Sequence, residues 1–525
     1  MQKTDLFHKL KFNLWYYSKK NALIGKPINL LGKVATLNFL NNYKNQIKKN
    51  FNHYVPADRY ERESSTPKQF YLINNEKNSS LEILGLKILM NHFRIPFTEV
   101  NLKEIDQSLM DNISETIFLI CIKASSDELK KLNTTFNNKI EQIINFDSTA
   151  SNADIVLNNL STIKNDPKEI LPFNFGLRSL IVKNFTDILL SSKKLIISGF
   201  MPPHIGMRID DVIGKKIDEY LPILLKHKWK PNLGIFTDSF NNYENTTTKL
   251  ISSEDNLNNI EISPHAYNVR NFIFHNYSNG KSFTEENFKK NWNRVKEKFK
   301  KCNFKISPVL NAHFHAFSQE CLNTIKENGI KYIYSELFPS KMIPVPNKKY
   351  LPSGDPINTT GQISDSIIQV YSGDSVMDCN QKRSYYDFLM HMKNSNKVDA
   401  ALKRIITRLD LSLRTGFASF FTTHEYLLNE LNQDELSLLF DKIDGYIVNN
   451  KLSPSKNSLS EIGRNCENHS NVIIYSIKRE NDKYSILLTG KSNGDFYLSA
   501  FGNGKINFFK FSNFTEKKIV EIPHE

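Results

Sequence analysis

The stretch MRIDDVIGKKIDEYLPILLKHKWKPNLGIF, residues 207–236, decides the fold. It opens on Met207–Val212, an apolar run of strand length that ends in two adjacent carboxylates. Ile217, Tyr220, Leu221 and Leu224 then recur at the three- and four-residue spacing of one helix face. Asn232–Phe236 is a second apolar run of strand length. Two strands separated by a helix predict a parallel pair joined by a crossover.

The same alternation continues towards the C-terminus. Ile260–His265 predicts a strand. Ser282 and Glu285 have capping-box spacing, and behind them Phe288, Trp292, Val295 and Phe299 make one apolar face. Ile306–Phe314 is strand-like. Ser318 can cap the helix that follows, and Gly329 can end it. Ile330–Tyr334 and Phe417–Thr422 predict further strands, and Gln433–Ile443 a helix. This repetition over residues 195–450 predicts an α/β domain, either a closed or nearly closed barrel or an open doubly wound sheet. In both, chemistry gathers at the C-terminal ends of the strands.

On the N-terminal side, Leu81–Met90 predicts a helix, and Phe97–Val100 and Thr116–Ile122 predict strands of a small α/β domain. On the other side, Asn450–Ser470 reads as a polar linker. The runs Val472–Ile477, Tyr484–Leu488, Phe496–Ala500, Ile506–Phe511 and Lys518–Ile522 then predict a small β domain. The expected division is 1–190, 191–450 and 451–525.

Composition narrows the function classes. Lys plus Arg is 69 against 55 for Asp plus Glu, a net charge of +14. The basic residues are spread along a chain rich in Lys, Asn and Ile, whereas a nucleic-acid surface concentrates its charge, so no nucleic-acid partner is expected. Cys121, Cys302, Cys321, Cys379 and Cys466 form no CxxC pair, which leaves free thiols in a reducing compartment as the expectation. No apolar window nears the ~18 residues of a membrane span, and the first residues lack a signal-peptide pattern. A cytoplasmic protein is expected. Lys491 and Ser492 follow Gly490 as in a phosphate loop, but Ser485 stands where the first Gly belongs, and no GxGxxG follows a strand.

The residues that can carry chemistry lie at predicted strand ends. Asp210 and Asp211 can supply a cation ligand and a proton acceptor. Glu261, Ser263 and His265 share one strand face, and His275 follows. Val309, Asn311, His313 and His315 share another face. His424, followed by Glu425, ends FASFFTT. Neutral imidazole is a common ligand for zinc and related ions.

Over residues 200–445 this pattern resembles the polysaccharide deacetylase superfamily. The resemblance rests on RIDDV (208–212), ISPHAY (262–267), the strand-helix-strand stretch from Ile306 to Tyr334, and FFTTHEYL (420–427). It implies a distorted (β/α)7-type barrel and a divalent metal ion, commonly zinc. Asp211 matches the family's metal-binding Asp, Asp210 its base, His265 its first His ligand and His424 its general acid. Val269 stands where the second His ligand belongs, so His275 completes the expected metal set, with His313 as the other substitute. Val212 replaces the Gly that usually follows the acidic pair, and NAHFH replaces an Arg-Pro-Pro segment. Arg208, Asn311, His313 and His315 are expected at the substrate. The activity implied is deacetylation of N-acetylated sugars of a surface glycan or its precursor. A glycoside hydrolase, or a non-catalytic glycan-binding or scaffold protein on the same barrel, stays open.

Overall fold

The structure is a computed structural model. Its described residues lie between Gln69 and Pro523, leaving out 75–89, 106–112, 147–154, 158–179, 275–282, 314–320, 336–352, 372–396 and shorter stretches of one to four residues.

Strands β1 (Phe70–Asn74), β2 (Phe97–Asn101), β3 (Ile117–Ile122), β4 (Ile140–Phe146) and β5 (Ile155–Leu157) form an all-parallel sheet in the order β2-β1-β3-β4-β5. Every residue of β3, IFLICI, is buried, the pattern of a parallel strand covered on both faces. Helix α1 (Ser126–Phe136) buries Leu129, Leu132 and Phe136. The strands expected at 97–100 and 116–122 are present; the helix expected from Leu81 falls almost wholly outside the described residues. Helix α2 (Leu180–Ser191) then leads to β6 (Ile196–Ser198).

The central region runs β7 (His204–Val212), α3 (Ile217–Lys226), β8 (Pro231–Phe236), α4 (Glu244–Ile251), β9 (Glu261–Ala266), α5 (Glu285–Lys301), β10 (Val309–Leu310), α6 (Leu322–Glu327) and β11 (Tyr332–Ser335). It continues through β12 (Ser353–Ile357), β13 (Thr360–Ser364), β14 (Ile367–Tyr371), α7 (Lys397–Arg414), β15 (Ser419–His424), α8 (Glu425–Leu428) and α9 (Gln433–Asn449). One parallel sheet runs β15-β7-β8-β9, and a second contains β10-β11-β14. A parallel bridge from Ile262 to Ile306 joins the two, and Ser263 Oγ donates to Val309 O over 2.7 Å. Joined in this way, the parallel strands run in the order β15-β7-β8-β9-β10-β11-β14. Among the described residues the ring does not close, because the free edge of β14 pairs antiparallel with β13, and β13 with β12.

Three local expectations change. Helix α5 is capped by Thr284, which accepts from Asn287 N, while Ser282 lies outside the described residues. The strand expected over Ile306–Phe314 shrinks to Val309–Leu310: Pro308 has no N–H to donate, and the chain leaves the ladder at Asn311. Gly329 does end α6, at φ +82°, but the N-cap is Cys321; Ser318 lies outside the described residues.

The expected linker is the largest correction. After β16 (Ser455–Lys456), residues Leu459–Asn471 form helix α10, opened by a complete capping box between Ser458 and Glu461. Leu459, Ile462 and Cys466 recur at helical spacing and pack with Met201, Val309, Tyr332 and Tyr334. Glu261 accepts from Ser460 N and Oγ, Lys230 donates to Glu461 at 3.0 Å, and Tyr334 Oη donates to Leu459 O at 2.5 Å. Glu261 begins β9 and Lys230 immediately precedes β8, so α10 packs as a plug across the N-terminal ends of these parallel strands.

Beyond it, β17 (Val472–Arg479), β18 (Lys483–Ser492) and β21 (Phe514–Pro523) form one antiparallel sheet. The other is β20 (Lys505–Phe511), β19 (Phe496–Gly502) and β6. Residues 196–198, expected in the barrel, are thus an edge of the C-terminal sheet. Leu195 and Ile197 share its core with Ile474, Ile486, Phe496 and Val520. No helix among the described residues is long and apolar enough to cross a membrane.

If α10 is a plug, Leu459→Ala removes a fully buried side chain from the junction. The expected cost is about 2–5 kcal/mol, read as a lower urea midpoint. An unchanged midpoint would argue that α10 is only laid on the surface.

Candidate metal centre

Strand alternation should send Asp210 and Asp211 to opposite faces. Two features prevent this. Asp211 has φ +57°, in the left-handed region. The β7–β8 register also slips between Ile209 and Val212, three steps on β7 against two from Leu233 to Ile235 on β8. This is a β-bulge, a device that re-aims side chains beside a site. Both carboxylates consequently face the C-terminal mouth of the sheet.

Arg208, two residues earlier on the same strand face, is fully buried. Its Nε donates to Asp210 Oδ1 at 2.8 Å and its Nη2 to Oδ2 at 2.7 Å. Asn311 Nδ2 adds a third hydrogen bond to Oδ1 at 2.7 Å. Burial alone would push the Asp210 carboxyl up. The Arg208 guanidinium, with His265 and His424, outweighs it and leaves the group well below the usual carboxylate range.

Asn311 acts twice. Its backbone carbonyl lies 2.6 Å from His265 Nδ1. A carbonyl only accepts, so Nδ1 carries the proton and His265 Nε2 offers a lone pair. That nitrogen is 2.9 Å from His313 Nδ1, and Asp211 Oδ1 is 3.3 Å from each of the two nitrogens. Burial would raise Asp211, but the imidazoles of His265 and His313 beside it hold its carboxyl far below its ordinary value. Burial lowers His313 to about 4, so this ring is neutral near pH 7. Gly234 on β8 makes room for the arrangement: a Cβ there would lie 2.8 Å from Asn311 Nδ2 and 3.3 Å from the His265 ring.

The two carboxylates have different partners: Asp210 is paired with the Arg208 guanidinium, whereas Asp211 meets the imidazoles of His265 and His313. The three donor atoms lie within 4.8 Å of one another. Donors on zinc bonds of about 2.0 Å stand roughly 3.3 Å apart in a tetrahedron, the spacing that Asp211 Oδ1 has from both nitrogens. The buried Asp211–His265–His313 group fits a metal site.

The structure thus brings Asp210, Asp211, His265, Asn311 and His313 together. His424 pairs in register with Asp210 across β15 and β7, near enough for its charge to bear on both carboxylates. Arg208 and Asn311, expected at the substrate, direct their donors at Asp210. His275 and His315 lie outside the described residues; the third donor among the described residues is His313. Its signal in the sequence was the alternation Val309, Asn311, His313, which puts it on the face of Asn311.

Glu425 had been noted only as the neighbour of His424. It is 1% exposed. Its Oε2 accepts from Ile213 N at 2.8 Å, and its Oε1 from Gly214 N and Tyr220 Oη at 3.0 Å each. Burial raises its carboxyl to about 7 in spite of these donors.

No family model matches the chain, and no curated protein does. Among solved structures, it is similar to a proposed polysaccharide deacetylase from Mycobacterium smegmatis, at 10% identity and a TM-score of 0.35, over 54% of this chain and 99% of that one. It is also similar to a proposed glycoside hydrolase/deacetylase from Parabacteroides distasonis, at 7% identity and a TM-score of 0.33, over 60% of this chain and 85% of that one. The side chains described above carry the functional reading that follows.

The raised Glu425 pKa fixes the sign of a pH effect. The folded chain holds this proton more tightly than the unfolded one, so stability is fully present below about 4.5 and is lost as pH rises through about 7. In the presence of chelator, the wild type should lose up to ~3 kcal/mol relative to Glu425→Gln between pH 5 and pH 8 in urea titrations. A difference that stays level or grows in the wild type's favour would contradict the assignment.

Proposed function

We propose that this chain is a metal-dependent hydrolase of carbohydrate that removes acetyl groups from N-acetylated sugars of a surface glycan or its precursor. The observation that supports it is the meeting of Asp211, His265 and His313 donor atoms beside an Arg-held carboxylate, with an imidazole on the adjacent strand end. The motif resemblance of residues 200–445 points to the same reaction.

Asp211, His265 and His313 would hold the ion, and a nitrogen and oxygen donor set suits zinc. When bound, a divalent ion supplies Lewis acidity, polarising an acetamide carbonyl and making a nearby water more acidic. The chain's own groups do the proton work. Asp210 Oδ1 already accepts two hydrogen bonds, whereas Oδ2 accepts one from Arg208. The lone pair left on Oδ2 is where a proton from the attacking water goes. So strongly depressed a carboxylate is a weak base and needs an acidified water. His424, one strand away, donates a proton to the departing amine. Breaking the C–N bond leaves acetate and the free amino sugar. Asn311 keeps the base and His265 aligned with each other.

Acetate release from N-acetylated oligosaccharides, followed with and without chelator, is the direct test. Activity should vanish with chelator and return with zinc. Asp210→Asn and His424→Ala should each lower kcat by roughly 10²–10⁴ while leaving metal content intact. Acetate release that persists after full metal removal, or sugar-chain cleavage without acetate, would sink the proposal.

A further inference from the structure

Neither the metal ligands nor the proton-transfer groups account for Glu425, yet it is the carboxylate with the most backbone partners near the site. It follows His424 directly and starts α8. Its two oxygens bind Ile213 N and Gly214 N, the second and third amides after Asp211. Tyr220 from α3 donates to the same oxygen as Gly214. Four residues on, Asn429 Nδ2 donates to Lys215 O at 3.1 Å, so the segment after β15 grips the β7–α3 connection at a further point.

The gripped connection cannot settle by itself. Asp211 has φ +57°, Gly214 φ +86° and Lys216 φ +56°. Left-handed backbone is unfavourable for residues with a Cβ, and it persists where surrounding contacts over-determine it. At Gly214 a Cβ would meet Thr247 Oγ1 at 2.1 Å, so the chain passes close to α4 there. Asp211 lies between the bulge and this turn, and its Oδ1 stands 3.3 Å from two imidazole nitrogens, one from β9 and one from the segment after β10.

We infer that Glu425 is a positioning residue for the metal centre: by anchoring the amides of Ile213 and Gly214 it sets the backbone angle that aims Asp211 at His265 and His313. This rests on the metal reading proposed above. Glu425 supplies no donor to the ion. It also ties the strand end that carries His424 to the turn that follows the two aspartates, so acid and ligand hold one spacing. Groups that orient a metal ligand typically change metal affinity about 10–100-fold when removed.

Cobalt(II) titration of the full chain, read by visible absorption and paired with far-UV circular dichroism, tests this. Wild type, Glu425→Gln and His313→Ala are compared. Glu425→Gln keeps the size of the side chain but replaces one acceptor oxygen with a donor facing backbone N–H. It should stay folded, bind cobalt roughly 10–100-fold more weakly, and show an altered absorption band. His313→Ala, which loses a donor, should bind more weakly still. Wild-type affinity and spectrum in folded Glu425→Gln would overturn the positioning role alone. If wild type takes up no cobalt, the metal reading falls and the inference falls with it. If Glu425→Gln does not fold, Tyr220→Phe decides: it removes one donor from the carboxylate, and a fall in affinity of about threefold or more supports the clamp, whereas no change overturns it.

Discussion

The site hangs on one break in strand geometry. An uninterrupted β7 would turn Asp210 and Asp211 to opposite faces, one into the barrel mouth and one into the layer of helices. The bulge after Ile209 and the left-handed Asp211 turn both to the mouth. Only then can a single strand bring both carboxylates to the same group of histidines. The cost of a left-handed, non-glycine residue is of order 1–3 kcal/mol, and the amides of the next turn, Ile213 N and Gly214 N, donate to Glu425 beside it.

Charge explains why the two carboxylates differ in role. Asp210 is enclosed by a bidentate guanidinium and an amide, so its charge is balanced inside the protein. Asp211 meets only imidazoles, and His313 is held neutral by its burial. Burial opposes ionisation at both, and in both the partners win: a guanidinium and an amide at Asp210, imidazoles at Asp211. The pair is therefore asymmetric: one carboxylate tied to a guanidinium, and one that stands among imidazole nitrogens in a group that fits a metal site. The strand between them and the histidines, β8, contributes an absence of atoms. Gly234 lets the Asn311 amide cross to Asp210 while the Asn311 carbonyl turns to His265.

Much of this was legible in the sequence because it is local. The 207–236 unit, the buried face of α5 and the apolar β3 follow from periodicity. Asp210, Asp211, His265 and His424 stood out because each ends a strand-like run. What failed depended on contacts distant along the chain. Residues 450–470 look polar, and Leu459, Ile462 and Cys466 have meaning only once the barrel floor is there to receive them, although the Ser458–Glu461 pair was a readable cap. His313 belongs to the metal group because β9 and β10 come together through the bridge from Ile262 to Ile306. Glu425 could not be assigned from sequence, since its partners lie 205 to 212 residues away.

The distribution of protons also separates the reaction classes that a sugar-acting barrel can host. Glycoside hydrolysis in its usual form needs a carboxylic acid that is still protonated near neutral pH, facing a second, ionised carboxylate across the bond to be cut. Here both carboxylates at the mouth are held below their ordinary range, and Asp210 is locked by its guanidinium. Among the described residues, the carboxyl raised towards 7 is that of Glu425, which is buried against Ile213, Gly214 and Tyr220. His424 stands in register with Asp210 across β15 and β7. On the proposed function, two depressed carboxylates beside imidazole nitrogens suit hydrolysis assisted by a cation better than they suit a carboxylate pair.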